Sequence, residues 1–179
     1  MGAIESVTRD LAQDWPEALY DTLKAAGIRH MSYVPDAGHS TLIRLFSDDS
    51  EVTSNVLTTE EEGVAIACGA WLGGARSVVL MQSSGVGNCI NMLSLPVQAR
   101  MPLLLLVTMR GEWDEFNPWQ VPMGRATQAA LESIGVTVLR AETGADLVET
   151  VAQAVGMAFD GDQQIAVLIG QRLLGKKKW

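Results

Sequence analysis

The chain has 179 residues, of which 47% are hydrophobic and 19% charged, and its formal net charge is −8. This length and apolar content suit one domain with a sizeable buried core, so we treat residues 1–179 as a single domain. The acidic charge argues against nucleic acid as a partner, because nucleic-acid binding needs a basic face. The longest apolar run, residues 101–109, contains Pro102 and is too short to span a bilayer. Composition therefore excludes nucleic acid and membrane.

The cellular location is predicted from two features. The only cysteines, Cys68 and Cys89, lie among apolar or small residues, which predicts reduced thiols. Residues 1–13 carry charges and lack the apolar stretch of a signal peptide. We therefore predict a cytoplasmic protein.

Helical and strand patterns alternate along the chain. Helices are predicted from Asp14 and over residues 42–46, 63–72, 89–99 and 126–134, with a last one capped by Thr143 and Asp146. Strands are predicted over residues 30–35, 52–57, 77–81, 103–107, 136–139 and 165–169. This alternation predicts an α/β fold, a doubly wound, mostly parallel sheet of about six strands flanked by helices.

The helix over residues 63–72 has a distinctive composition. Every residue in it is small or apolar, so we expect it to be buried on most faces. Thr58 and Thr59 each precede a glutamate by three residues, and either pair could close a capping box.

Four polar segments are predicted to follow strands: residues 36–41, 58–62, 110–120 and the glycine-rich turn 82–88. Ligands of open parallel sheets bind at the carboxyl ends of strands, near a switch in strand order. The coincidence of four polar loops in an apolar protein predicts a site there.

Common motifs exclude several kinds of chemistry. The sequence Gly85-Val86-Gly87 lacks the third glycine of a dinucleotide fingerprint, and no GxxxxGK[ST] or GxSxG motif occurs. His30 and His39 are the only histidines, and no cluster has zinc-ligand spacing. Hydride transfer, phosphoryl transfer and metal chemistry are all disfavoured.

Three consecutive glutamates, Glu60, Glu61 and Glu62, open the apolar helix. Carboxylates in a first turn stabilise a helix dipole by about 0.3–1 kcal/mol each, which is a sufficient structural reason for them. Successive helical residues point about 100° apart, so at most one of the three faces a given cleft. The helical phase does not choose among them.

Three segments of the chain carry a family resemblance. The segments TTEEEGVAIACGAWLGGARSVVLMQSSGVGN, MPLLLLVTMRGEW and VPMGRAT resemble the pyrimidine-binding (PYR) subunit of thiamine-diphosphate-dependent decarboxylases. The resemblance is closest to the alpha subunit of sulfopyruvate decarboxylase and the matching half of phosphonopyruvate decarboxylase, and it extends from about Val34 to Thr127. It implies thiamine diphosphate as the cofactor, which accepts electrons as a 2-oxo acid loses carbon dioxide.

The resemblance also implies roles for individual residues. The family's glutamate, nine positions before a glycine, hydrogen bonds N1′ of the aminopyrimidine. Counting back from Gly69 gives Glu60, with Glu61 as the fallback. The resemblance further implies cofactor contacts by Gln82, Ser83 and Asn88.

Substrate-site roles follow from the same resemblance. Asp36 fits the family's Val-Pro-Asp entry, and His39 is predicted to relay protons unless it is an exposed loop histidine. Arg110 is predicted to hold an anionic substrate group unless it forms a structural ion pair. Trp113, with Phe116 and Trp119, is predicted to line the pocket or to bury against a partner.

Half of the family's active site is missing from this sequence. The family binds diphosphate and a divalent metal through Gly-Asp-Gly and a later asparagine, whereas residues 160–162 read Asp-Gly-Asp. The resemblance therefore implies a separate beta subunit that carries the diphosphate and Mg²⁺ site, in a hetero-oligomer of paired alpha and beta subunits. Three alternatives stay open: a carboligase subunit, a non-catalytic regulatory subunit, and a flavodoxin-like small-molecule binder. The sequence does not identify the 2-oxo acid.

Overall fold

The computed structural model describes residues 14–175, so the segment on which the signal-peptide prediction rests lies outside it. Within this range one sheet is formed by six strands: β1 Ile28–Tyr33, β2 Thr53–Val56, β3 Arg76–Gln82, β4 Leu103–Thr108, β5 Thr137–Ala141 and β6 Gln164–Ile169. The strand order is β2-β1-β3-β4-β6-β5, and every neighbouring pair is parallel. The predicted α/β class and the predicted sheet are confirmed.

Helices cover both faces of the sheet. They are α1 Trp15–Ala25, α2 Ser40–Ser47, α3 Glu60–Leu72, α4 Ser83–Cys89, α5 Ser94–Ala99, α6 Val121–Ser133, α7 Gly144–Phe159 and α8 Gln171–Leu174. One hydrophobic cluster joins the sheet to α1, α2 and α7, and the other joins it to α3, α4 and α6. The central strands β4 and β6 are buried at every residue, as expected for an apolar strand covered on both sides.

The strand order creates a crevice between β1 and β3. From β1 the chain crosses to β2 on one side, and from β2 it returns past β1 to β3 on the other. The segments that leave the carboxyl ends of β1 and β3 therefore diverge, and such a switch point is where parallel sheets bind ligands.

The prediction of a glycine-rich turn over residues 82–88 is wrong, because most of this segment is helical. Gln82 is the extended N-cap residue, and α4 begins at Ser83. Serine and glycine favour turns locally, but here tertiary packing overrides propensity, since Gly85 gives α4 a close approach to α3. The helix predicted over residues 89–99 is also divided: α4 ends at Cys89, and α5 starts afresh with Pro96 in its first turn, where no intrahelical N–H is needed.

Two predictions for α3 are wrong. Only one side of it is buried, through Gly63, Val64, Ala67 and Cys68, because the sheet covers a single face; Leu72 on the outer side is 74% exposed. No side-chain capping bond is made by the N-cap Thr59; instead Glu62 Oε2 accepts a hydrogen bond from the backbone N–H of Thr58 over 2.9 Å.

The predicted cap of α7 is confirmed, because Thr143 Oγ1 accepts from the backbone N–H of Asp146.

The two cysteines are free and buried, as predicted. Burial raises the pKa of the Cys89 thiol to about 12. Among the described helices, none has the length and apolar character needed to cross a membrane.

Candidate functional site

Glu60 is seated against the backbone of α4. It is the first residue of α3 and is only 8% exposed. Its side chain lies directly over Gly85, where an added Cβ would overlap the Glu60 carboxyl carbon and Oε1. Glu61 and Glu62, by contrast, are exposed. Of the three glutamates, the fold therefore turns Glu60 into the crevice.

The Glu60 carboxyl is held by one of its two oxygens. Asn88, near the end of α4, donates a hydrogen bond from Nδ2 to Glu60 Oε2 over 2.8 Å. Within residues 14–175 no other side chain or backbone group hydrogen bonds to this carboxyl. Oε1 is thus the oxygen left for a ligand.

Glu60 borders a small polar cleft of about 100 Å³ at the carboxyl ends of β1 and β3. A chain of hydrogen bonds runs along it: Ser84 Oγ donates to Gln82 Oε1 over 3.0 Å, and Gln82 Nε2 donates to Asp36 Oδ1 over 3.0 Å. Thr108, at the end of β4, donates from Oγ1 to Asp36 Oδ2 over 2.6 Å. The cleft is lined by Val34, Pro35, Asp36, Glu60, Gln82 and Ser84.

The structure thus brings Glu60, Gln82 and Asp36 together and places Asn88 behind Glu60. It does not bring Ser83 to the cleft. That serine is fully buried, and its Oγ accepts a hydrogen bond from the backbone N–H of Arg110 over 3.1 Å. Ser83 instead ties the start of α4 to the segment after β4.

His39 lies in the interior, so the alternative of an exposed loop histidine is wrong. The residue is 1% exposed, and its Nε2 lies 3.1 Å from the backbone oxygen of Leu106. Burial lowers the pKa of His39, although the nearby Asp36 carboxylate opposes the shift. No described residue hydrogen bonds to its Nδ1. The ring is not among the residues that line the cleft, and its predicted proton-relay role gains no support from this position.

Arg110 forms a structural ion pair, which was the alternative to its predicted role of holding an anionic substrate group. It donates to Glu115 through Nε and Nη2 over 2.7 and 2.6 Å, and both side chains are more than nine-tenths buried. Glu115 also accepts from the backbone N–H groups of Gly111 and Asn117 and from Gln171 Nε2. The Arg110 guanidinium, chiefly, lowers the pKa of Glu115 to about 2. This network fixes the loop that follows β4.

A second cavity of about 230 Å³ lies beside the cleft and shares Asp36 with it. Arg110, Thr108 and Gln171 also line this cavity. Among its described lining residues the only positive charge is that of Arg110, which the buried Glu115 neutralises, and Asp36 adds a carboxylate. Among the described residues, the cavity therefore carries no positive charge that is not compensated.

Trp113 and Trp119, from the segment after β4, line hollows other than the cleft of Glu60. Trp113 is 38% exposed and lines a separate hollow with Arg140 and Arg172. Trp119 is 84% exposed. It belongs to an apolar groove of about 530 Å³, which we name the Trp119 surface, lined by Pro118, Trp119, Pro122 and Met123.

Several site residues were not predicted from the sequence. Thr108 and Ser84 carried a weak signal, since Thr108 ends the buried strand β4 and Ser84 lies in the polar segment 82–88 that follows a predicted strand. Gly85 was noted only as a turn residue. Glu115 and Gln171 gave no signal, and the hydrogen-bond partners of Gln171 lie 56 to 59 residues away along the chain. Their roles depend on packing that local patterns do not encode.

Comparison with known proteins identifies the family. Residues 14–131 match the model described as "Thiamine pyrophosphate enzyme, N-terminal TPP binding domain". The chain belongs to this family. The match covers the crevice, α3 and α4, which carry Glu60, Gln82 and Asn88.

Named relatives agree with this assignment. The chain is 30% identical over 154 residues to "Sulfopyruvate decarboxylase subunit alpha" of Methanococcus maripaludis, a match that covers 86% of this chain and 92% of the relative. It is 33% identical to the protein of the same name from Methanothermobacter thermautotrophicus, covering 87% and 95%. A phosphonopyruvate decarboxylase of Streptomyces viridochromogenes is 37% identical over 112 residues, which cover 62% of this chain and 28% of that protein.

A solved structure shares the fold. It is the 2-oxoglutarate:ferredoxin oxidoreductase from Magnetococcus marinus, with a TM-score of 0.74 and 16% sequence identity. The match covers 89% of this chain and 29% of that one. At this identity the likeness establishes the architecture alone.

The residues of the cleft fit the pyrimidine end of thiamine diphosphate. An aminopyrimidine presents a ring nitrogen and an amino group on one edge, and Glu60, which lines the cleft, has one carboxyl oxygen, Oε1, that makes no hydrogen bond to the described residues. Across residues 14–175 no group of His, Cys, Asp and Glu side chains could hold a metal ion. The described chain therefore offers a seat for the ring.

Proposed function

We propose that this chain is the alpha subunit of a thiamine-diphosphate-dependent 2-oxo acid decarboxylase of the sulfopyruvate decarboxylase kind. The observation that carries the proposal is the geometry of Glu60, which lines the cleft and whose carboxyl accepts a hydrogen bond at Oε2 from Asn88, while Oε1 makes no hydrogen bond within the described residues. Membership of the family and the relatives named as alpha subunits support it.

The bound cofactor would supply the electron sink that lets a 2-oxo acid lose carbon dioxide. The chain's own residues would bind and orient the cofactor and the substrate. Glu60 holds a proton at Oε1 and offers it to the ring nitrogen of the aminopyrimidine. Gln82 and Asp36, locked to each other and to Thr108, form the wall of the cleft on the substrate side. Such preorganised groups require no rearrangement when substrate binds.

A partner subunit is needed to complete this site. We infer a beta subunit that binds the diphosphate and Mg²⁺, so that the cofactor spans the interface of a hetero-oligomer of paired subunits. The Trp119 surface is our candidate for part of that interface. A Cβ at Gly87 would lie 3.4 Å from the Met123 sulfur, so the groove adjoins α4 one residue from Asn88. Exposed aromatic side chains beside an incomplete site are typical of interface residues.

The substrate is inferred to be a 2-oxo acid whose second anionic group contacts the partner. Sulfopyruvate carries a sulfonate that requires a cation. Within the described chain the cleft of Glu60 has no arginine or lysine in its wall, and the neighbouring cavity has only the neutralised Arg110. Arg125 lines a different hollow, with Arg140 and Gln128. Arg110 is accordingly proposed to shape the substrate cavity through the loop it anchors.

The test is an assay of the assembled enzyme. The chain is co-expressed with the beta subunit, and carbon dioxide release is measured from a panel of 2-oxo acids, with sulfopyruvate and phosphonopyruvate included and with thiamine diphosphate and Mg²⁺ supplied. We expect turnover by the complex and none by either subunit alone. A complex that binds the cofactor without releasing carbon dioxide would contradict the decarboxylase assignment.

The same assay separates the alternatives. A carboligase subunit would consume a 2-oxo acid only when an acceptor aldehyde is present and would yield a hydroxyketone. A non-catalytic regulatory subunit would change the activity of its partner without depending on Glu60.

A further inference from the structure

Asn88 acts on the side of Glu60 that faces away from the free oxygen. Its Nδ2 lies 2.8 Å from Glu60 Oε2, and this is the only side-chain hydrogen bond that Asn88 makes within the described chain. Asn88 itself is exposed and is the sixth of the seven residues of α4. The side chain of Asn88 therefore binds Glu60 and does not pack into the hydrophobic core.

The direction of this hydrogen bond has a chemical consequence. The Asn88 amide nitrogen only donates, so Glu60 Oε2 accepts this hydrogen bond. The carbonyl oxygen of a neutral carboxyl is a better acceptor than its hydroxyl oxygen, so the bond favours the form of Glu60 that carries its proton on Oε1. Gly85 makes room for the same carboxyl, because a Cβ at this position would overlap the carboxyl carbon and Oε1.

We propose that Asn88 is a positioning residue that selects Oε1 as the proton-bearing oxygen of Glu60. This inference rests on the proposed function and deepens it. In this arrangement Asn88 does not touch the cofactor. It acts only through Glu60, so that the proton is presented to the aminopyrimidine ring nitrogen in one fixed orientation.

The test compares two substitutions in the assembled complex with thiamine diphosphate and Mg²⁺. Asn88→Ala removes the donor, and we expect kcat to fall on the order of 100-fold with little change in KM, because only orientation is lost. Asn88→Asp is isosteric. When ionised, the introduced carboxylate only accepts, so it competes for the Glu60 proton; when protonated, it donates to Oε2 again. The Asn88→Asp enzyme should therefore recover activity as the pH falls, whereas Asn88→Ala should be equally impaired at every pH.

A second readout does not depend on turnover. The affinity of the complex for thiamine diphosphate is measured by intrinsic fluorescence for Asn88→Ala, Glu60→Gln and the double variant. Because Asn88 acts through Glu60, the double variant should bind no more weakly than Glu60→Gln alone. Additive losses would show that Asn88 contacts the cofactor independently and would overturn the inference, as would identical pH profiles for the two Asn88 variants.

Failure of the proposed function is distinguishable from failure of this inference. A wild-type complex that binds thiamine diphosphate but releases no carbon dioxide contradicts the decarboxylase assignment, and the affinity cycle still decides the role of Asn88. A wild-type complex that does not bind thiamine diphosphate contradicts both.

Discussion

Glu60 of α3 and Gly85 of α4 share one space, since the carboxyl carbon of the glutamate lies where the Cβ of any other residue at position 85 would be. Gly85→Ala should therefore displace the Glu60 side chain. We expect kcat of the assembled enzyme to fall on the order of 100-fold from misplacement and stability to fall by about 1–3 kcal/mol from overpacking. Steady-state kinetics and urea unfolding measure the two effects.

Gly87→Ala is the matched control, because it lies in the same helix and its added Cβ would meet the Met123 sulfur at an ordinary 3.4 Å. It should leave kcat nearly unchanged. Equal losses in the two variants would mean that α4 tolerates no side chain anywhere and that the contact with Glu60 is incidental.

The Arg110–Glu115 pair should govern stability more than substrate affinity. Glu115→Gln leaves a buried guanidinium without its counter-charge, a loss that typically costs about 3–5 kcal/mol. Arg110→Gln should cost a similar amount, and the double variant should cost clearly less than the sum of both. Urea unfolding of the three variants and the wild type measures the coupling. Strict additivity would show that the two side chains do not interact.

Buried His39 should make the chain sensitive to mild acid. Its pKa is lowered in the folded protein, chiefly by burial, while the unfolded chain takes up a proton near pH 6.5. The unfolded state then binds more protons, so the free energy of unfolding should fall as the pH drops below about 6.5, by up to about 1.4 kcal/mol per pH unit. The paired Glu115, with a pKa of about 2, contributes a similar loss only below about pH 4.5.

Substitution isolates this contribution. His39→Gln keeps a donor for the Leu106 oxygen and removes the titration, so its unfolding free energy should be nearly flat between about pH 6.5 and 5. His30→Gln, at the partly buried His30 of β1, should keep the wild-type slope. A His39→Gln variant with the wild-type slope would assign the acid sensitivity to another group.

The Trp119 surface should contribute to binding of the beta subunit. Trp119→Ser removes an indole that is 84% exposed in the isolated chain, and we expect the affinity for the beta subunit to fall by at least about tenfold. Leu95→Ser is the control, since Leu95 is 44% exposed on α5, which leads into the amino end of β4. Calorimetric titration of each variant with the beta subunit gives the result. If only Leu95→Ser weakened binding, the interface would lie at the opposite edge of the sheet.

Fold class was predictable because the apolar strands and intervening helices alternate in the sequence itself. The short apolar runs at residues 103–107 and 165–169 are typical of strands buried on both faces, and they form the fully buried β4 and β6. The segment at residues 82–88 was mispredicted as a turn because tertiary packing, and not local propensity, determines the conformation of its serines and glycines. The outer face of α3 was mispredicted as buried because composition cannot indicate whether the sheet or another chain covers it.

The candidate site was predictable where a family motif named the residue. Glu60 could not be chosen over Glu61 by helical phase, and the choice rests on the contacts with Gly85 and Asn88. Ser83, His39 and Arg110 were given site roles through the family resemblance, but each of them makes its hydrogen bonds inside the protein. Loop position brings a residue near the crevice, and only packing decides which way its side chain points.

The role of Glu60 is decided by comparing Glu60→Gln with Glu61→Gln in the complex with the beta subunit. Both substitutions remove one carboxylate from the same helical turn, but only Glu60 borders the cleft. We expect Glu60→Gln to lower kcat for release of carbon dioxide by about 10²- to 10⁴-fold, as loss of a positioned proton donor does, and Glu61→Gln to leave it nearly unchanged. Full activity of the Glu60→Gln enzyme would contradict the proposed role of Glu60.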